Sequence, residues 1–439
     1  LVLEKDMADN QSKTRAALAR LCTEMTPQRF VLDSGLTVLV SEMPQFKGVH
    51  AVFGTRFGSA DKSFSLDGQT VELPEGVAHF LEHKLFEDEN GNDAFELFSA
   101  TGASANAFTS FDKTCFLFSA TDEIEKNLRI LLDFVLHPYF SEKTVQKEQG
   151  IIAQEIRMYQ DSPEFRMTFG LLGNLYHVCP VRSDIAGTVE SIQKITPEML
   201  YRCCEAFYAP DNMVLSVAGN VTARQVLEVC NGVKIAPSGH RLQRQKLQEP
   251  DTVFAKEKIL KMQVSQPVWG IGYKGPGALG GEVKNELICD FITELLAGET
   301  SPLYNRLYDE NLINAGFGGE YLSGPGYCSL IFGGETPDPK ALQAAFEAEV
   351  QRLLKNGVDE EQFLCTKNQM LGQAIMGLES IEDVATDQAA VFLRGHSLYD
   401  EVEQLSALTA RDVEAMLPTL LDREKCATIL IMPTDNDGE

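Results

Sequence analysis

The sequence predicts an α+β protein built from two homologous domains, each a mixed or antiparallel sheet with packed helices. Three observations point there. Strand-like and helix-like periods alternate in one order that occurs twice. The two copies are separated by Lys234 to Pro250, which is rich in Arg, Lys and Gln and has no apolar period. A chain of 439 residues with 44% hydrophobic content exceeds what one core usually supports and has apolar material for two. The expected boundaries are 1–235 for the first domain, 236–250 for the linker and 251–439 for the second domain.

Along the first half, a polar helix is expected over Asp6 to Glu24. Arg29 to Leu32 and Leu36 to Val40, joined by Asp33-Ser34-Gly35, form a β-hairpin. A strand at Val49 to Phe57 leads into a polar connection from Gly58 to Leu73. Pro74-Glu75 then sits where a helix can begin. That helix carries Gly76-Val77-Ala78-His79-Phe80-Leu81-Glu82-His83-Lys84-Leu85-Phe86.

At about 100° per residue, His79, Glu82 and His83 share one side of this helix, so two imidazoles and a carboxylate can face one centre. That arrangement suits zinc. Two neutral imidazoles would bind the ion, and the carboxylate at the intervening position could take a proton from a bound water. With 7 His in the chain, a chance His-x-x-Glu-His has an expectation of roughly 1 in 100. The set still lacks a ligand.

Beyond the motif, Asp93 to Ala100 reads as a short helix stopped by Gly102. Ser104 to Thr109 is a small-residue strand paired with Thr114 to Ser119. Small side chains leave its backbone approachable, which suits an extended peptide adding itself to a sheet edge. Asp122 to Leu136 is an amphipathic helix, and a longer one runs from Ser141 to Tyr159. Within the latter, Glu148 and Glu155 lie two turns apart on one face, beside the apolar Ile151, Ile152 and Ile156. Either glutamate can supply the missing ligand.

The first half closes with helical Pro163 to Ile195, broken by a loop at Val181 to Gly187. A helix at Met199 to Phe207, a strand at Asn212 to Gly219 and a helix at Thr222 to Asn231 follow. The second half repeats the order. Gln266 to Lys274 is a strand, and Glu282 to Leu296 a helix that corresponds to the His79 helix. Ser301 to Asn311 is helical, and Gly316 to Leu322 pairs with Cys328 to Phe332. Helices start near Lys340, Asp359 and Ile381, and Cys426 to Met432 is the last strand. The second half has no counterpart of His79, Glu82 or His83.

Composition narrows the function classes. With 38 basic against 64 acidic residues the net charge is −26, which argues against a nucleic-acid or anionic-membrane surface. Ten scattered cysteines without a C-x-x-C pair read as a reduced intracellular protein. No run approaches ~18 apolar residues, so no membrane span is expected. The sequence opens on Leu-Val-Leu-Glu-Lys-Asp, without the apolar stretch of a signal peptide, and a cytoplasmic location is the expectation.

His79-x-x-Glu82-His83, the inverted order of the usual zincin motif, followed by Glu148 and Glu155 on a later helix, resembles the inverzincin metallopeptidases of the pitrilysin, insulinase and mitochondrial processing peptidase family. The resemblance extends to the Asn106-Ala107 strand and the loop Arg182 to Thr188. The chain length is similar to the short, two-domain bacterial branch. It implies half of a clamshell, with one Zn2+ per chain held by His79, His83 and Glu155. It further implies Glu82 as catalytic base, Glu148 as a supporting acid behind the ligands, and Asn106 and Ala107 as substrate contacts. The implied activity is endopeptidase cleavage of a peptide bound as an added strand.

One departure stands out. Active relatives carry an Arg and, seven residues on, a Tyr in a segment resembling Ser301 to Tyr308. Here Tyr308 fills the Arg slot, with Ala315 seven beyond it, and Ile313 lies seven beyond Arg306. The resemblance therefore implies a homologous partner chain, in a heterodimer or homodimer, that supplies the pair. The alternative is a metal-retaining, non-catalytic scaffold subunit of a processing-peptidase-like complex.

Overall fold

A computed structural model describes residues 26–245 and 248–434. The helix expected over Asp6 to Glu24 lies outside the described residues. The first elements are β1 (Gln28–Val31), β2 (Thr37–Glu42), β3 (Val49–Thr55), β4 (Ser63–Leu66) and β5 (Gln69–Glu72). Next come α1 (Val77–Leu85), α2 (Ala94–Ser99), β6 (Ser104–Thr109), β7 (Thr114–Ala120), α3 (Ile124–Leu136), α4 (Glu142–Gln160) and α5 (Pro163–Leu175). After a short helical turn at Pro180–Arg182 follow α6 (Val189–Ile192), α7 (Pro197–Phe207), β8 (Met213–Gly219), α8 (Ala223–Gly232) and β9 (Leu242–Arg244).

The remainder runs β10 (Glu257–Met262), β11 (Val268–Lys274), α9 (Val283–Ala297), α10 (Pro302–Asp309), β12 (Gly318–Gly324) and β13 (Tyr327–Glu335). It ends with α11 (Pro339–Asn356), α12 (Glu360–Gly377), α13 (Ile381–Arg394), α14 (Leu398–Ala407), α15 (Ala410–Leu420) and β14 (Cys426–Pro433).

Two sheets repeat one topology. The larger has the order β1-β2-β8-β3-β7-β6 and the smaller β10-β14-β11-β13-β12. In the first, β8 runs parallel to β2 and antiparallel to β3; in the second, β14 runs parallel to β10 and antiparallel to β11. The chain is thus α+β with one strand order used twice. The buried strands β3, β8 and β11 form the centre of each sheet, every residue of each being buried.

Packing divides the chain into two compact units, each assembled from separated stretches. One comprises the residues up to Ile152, Ile185–Gln245 and Gly372–Ser406; the other comprises Ala153–Asp184, residues 248–371, and the residues from Ala407 on. In the first unit α13 lies on the six-stranded sheet, where Ala385, Ala389 and Leu393 join Val52 and Val214 in one apolar cluster. In the second, α5 lies on the five-stranded sheet. Gly270 and Gly272 of β11 leave room there for Met167, Leu171 and Leu175, whose atoms a Cβ on either glycine would meet at 2.8–3.1 Å. We propose that the repeated order of elements divides the chain linearly at 236–250, although packing interleaves the stretches.

Several elements differ from the sequence expectation. The connection from Gly58 to Leu73 contains the hairpin β4–β5, and β9, within the stretch read as linker, pairs with β4 to complete a three-stranded sheet. The turn is Asp67-Gly68, both at positive φ (51° and 84°), and Asp-Gly is a strong hairpin signal masked by polar flanks. Strand β10 was not expected because its residues are largely exposed and charged. Helices α14 and α15 were likewise not resolved from the pattern following Ile381. Among the described residues no helix is long and apolar enough to cross a membrane.

Candidate metal centre and peptide edge

The structure begins α1 at Val77, two residues later than Pro74-Glu75 suggested, and the reason is backbone packing. Gly76 holds φ +90° at the N-cap without a side-chain cap, and a Cβ there would lie 2.3 Å from the Ala186 carbonyl oxygen. From the other side, a Cβ on Gly187 would lie 2.6 Å from the Glu75 carbonyl oxygen, which accepts a hydrogen bond from Ser191 Oγ at 2.8 Å. The Arg182 to Thr188 loop thus clamps the start of the helix, and only glycine fits at either point of approach.

The apolar residues of α1, Val77, Ala78, Phe80, Leu81 and Leu85, are buried, as is Glu82. His79 and His83 are half-buried, with ring centroids 4.6 Å apart. One donor atom from each of His79, His83 and Glu155 lies within 4.8 Å of the others. Glu148, two turns before Glu155 on α4, is at 3.1 Å from His83 Nδ1. Two glutamates that the sequence left equivalent therefore meet different partners: one stands with both imidazoles, the other behind one of them.

This donor set fits a divalent ion of the zinc type. Two imidazole nitrogens and one carboxylate oxygen suit bonds of about 2.0–2.2 Å, and small side-chain shifts close the observed spacing onto one centre. Burial, with the neighbouring His83, pulls the His79 imidazolium down to about 3. His79 is then neutral near pH 7, the form that ligates. With its Nδ1 beside the Glu148 carboxylate, His83 has its ring orientation set. Glu148→Gln is accordingly expected to weaken metal affinity about 10- to 100-fold without unfolding the chain, as measured by titration with a chromogenic chelator.

A cavity of about 440 Å³ opens beside this set, lined by Glu82, His83 and Glu148 together with Asn106 and Ala107 of β6. β6 is an edge strand, paired on one side with β7. Phe86 and Phe95 stack at 4.2 Å on the cavity wall, and Lys147 and Glu87 add one charge of each sign. Glu87 is paired with the fully buried Lys84, whose hydrogen bond holds its carboxyl below the usual range. Thr109, at the end of β6, donates from Oγ1 to Glu82 Oε2 at 2.5 Å. Its place three residues after Asn106 on one strand was the available signal.

In the second half, Tyr308 is half exposed, Arg306 and Ala315 are exposed, and Ile313 is buried. Tyr304 and Tyr308 stack along α10 with centroids 6.1 Å apart.

The repeated sheet order, with a His-x-x-Glu-His helix in its first copy alone, defines an α+β protein of the pitrilysin type. Residues 68–189 match the family model described as insulinase (peptidase family M16), and residues 194–370 match that described as peptidase M16 inactive domain. The chain is 39% identical over 412 residues to the "uncharacterized zinc protease YmfH" of Bacillus subtilis (strain 168), covering 92% of this chain and 95% of that one. Among solved structures, a putative M16-like peptidase from Alicyclobacillus acidocaldarius superposes with a TM-score of 0.90 at 35% identity, over 93% of this chain and 98% of the other. Pitrilysin itself, at 16% identity and a TM-score of 0.72, shares the fold, and 45% of its length is covered. The chain belongs to peptidase family M16, as a short two-domain member.

Proposed function

We propose that the chain is a zinc-dependent endopeptidase that takes peptides or unfolded segments as a strand added to β6 and acts with a homologous partner chain. The observation that carries this is the convergence of His79, His83 and Glu155 within 4.8 Å, with His83 also lining a cavity together with Glu82 and the edge strand. The names of the relatives, zinc proteases among them, support it.

His79, His83 and Glu155 would hold the ion, and Glu148 would orient His83. Zinc bound there would supply Lewis acidity, polarising the scissile carbonyl and acidifying water. Glu82, buried and acceptor-only when ionised, takes the proton of the attacking water and returns it to the leaving amine. The open side of β6 at Asn106 and Ala107 would offer main-chain groups to an extended peptide once the Ala107 N–H leaves Asn106 Oδ1, to which it donates at 2.9 Å. Its cytoplasmic location is part of the same reading, consistent with scattered cysteines in an acidic chain.

Removing metal with a strong chelator is expected to abolish cleavage of an internally quenched peptide, with one equivalent of zinc per chain restoring it. Cleavage that survives chelation overturns the reading. The residues at the Arg and Tyr slots favour a second reading, a metal-retaining scaffold subunit, for which chelation would change assembly and leave no cleavage to lose.

A further inference from the structure

We propose that Thr109 is a positioning residue for the base: its hydroxyl pins Glu82 Oε2 to the peptide-receiving strand. The inference deepens the peptidase reading and rests on it. It begins from the geometry of one hydroxyl. Thr109 Oγ1 is 2.5 Å from Glu82 Oε2 and 3.4 Å from Thr114 Oγ1, its register partner on β7. Thr114 Oγ1 in turn donates to the Phe57 carbonyl oxygen at 2.9 Å.

A threonine hydroxyl has one hydrogen to give. That of Thr114 is committed to the Phe57 carbonyl, so it is not available to Thr109. An ionised carboxylate only accepts, so the hydrogen of Thr109 belongs to Glu82. The direction from Thr109 to Glu82 is therefore set by the carboxylate, and the neighbouring Thr114 is completely buried on the sheet.

The consequence concerns torsion. The terminal torsion of a glutamate is broad and roughly two-fold, so an unanchored carboxylate sweeps through many orientations. The hydrogen bond at Oε2 narrows that range. The anchor lies on β6, three residues beyond Asn106 and two beyond Ala107, so the base is referenced to the same strand that the peptide would join. Strand docking then fixes the distance between scissile bond and base, the kind of prepaid orientation that raises turnover without tightening substrate binding.

The test compares wild type, T109V, T109S and E82Q, each zinc-loaded and assayed in the full chain (with a homologous partner chain where cleavage needs one) on an internally quenched peptide. Valine keeps the shape and strand preference of threonine and deletes the hydroxyl; serine keeps the hydroxyl. T109V is expected to lower kcat about 10- to 100-fold with KM unchanged. T109S is expected to stay within about threefold of wild type. Zinc content, read by metal analysis, is expected to be equal in all four. A crystal structure of zinc-loaded T109V is expected to show the Glu82 carboxylate displaced or in more than one orientation.

A T109V enzyme with wild-type kcat, beside an inert E82Q, overturns the role of Thr109 and leaves the peptidase reading intact. An equal loss in T109S and T109V shows a packing role and overturns it as well. Wild type and E82Q that are equally inert overturn the peptidase reading and this inference with it. A zinc-loaded wild-type crystal structure with Glu82 turned away from Thr109 overturns the inference whatever the activity.

Discussion

Glu82→Gln is expected to lower kcat/KM on peptides by roughly 10²–10⁴-fold, the span that a positioned general base contributes, while zinc content stays at the wild-type level. The substitution is nearly isosteric, and the amide oxygen can still accept the Thr109 hydroxyl. The buried environment of residue 82 and the three groups proposed to hold the ion are left in place. What is lost is the capacity to take a proton, because an amide is not a base at neutral pH. Measuring turnover and bound metal on one preparation separates this from simple metal loss. An E82Q chain that keeps wild-type turnover would remove Glu82 from the chemistry.

The second large effect concerns what this chain lacks. Adding a homologous chain that carries the Arg and Tyr pair is expected to raise kcat/KM by about 10²–10³-fold for each donor supplied, the size of an oxyanion-type hydrogen bond in a water-excluded site. The reason lies in α10 and the turn after it. The Arg slot holds Tyr308, 51% exposed, and the Tyr slot holds Ala315, whose methyl group can donate nothing. Arg306 is no substitute for the pair, since the position seven beyond it is the buried Ile313. Native mass spectrometry of the assembled complex would report chain and metal stoichiometry together. An isolated chain that cleaves at a rate no partner improves would show that the pair is dispensable.

How much was legible depended on how local the signal was. The His79 helix and the central strands were readable because their periods are set by backbone geometry within a few residues. The β4–β5–β9 sheet was not: its strands are three or four residues long, and the pairing of Ser65 with Gln243 joins distant parts of the chain. The helices α13 and α5 each have a helical period in the sequence, but such a period says that a face can be buried and is silent about which sheet will bury it. Gly54, where a Cβ would lie 3.0 Å from a Leu393 methyl, and Gly270, where it would lie 2.8 Å from Met167, mark the receiving surfaces only once the tertiary contacts are known.

By itself the sequence determined that two imidazoles and a carboxylate would share one helical face, that the fold would be α+β with its order of elements used twice, and that the second copy would lack the metal motif. Tertiary structure alone decided the rest. Glu148 and Glu155 are related by two helical turns and look alike along α4; they part company because Glu148 meets His83 Nδ1 whereas Glu155 lies with donor atoms of both imidazoles. Thr109 acquires its place behind Glu82 because β6 ends beside α1. Spacing along one helix is a property of the backbone, whereas the meeting of groups on separate elements depends on how those elements pack.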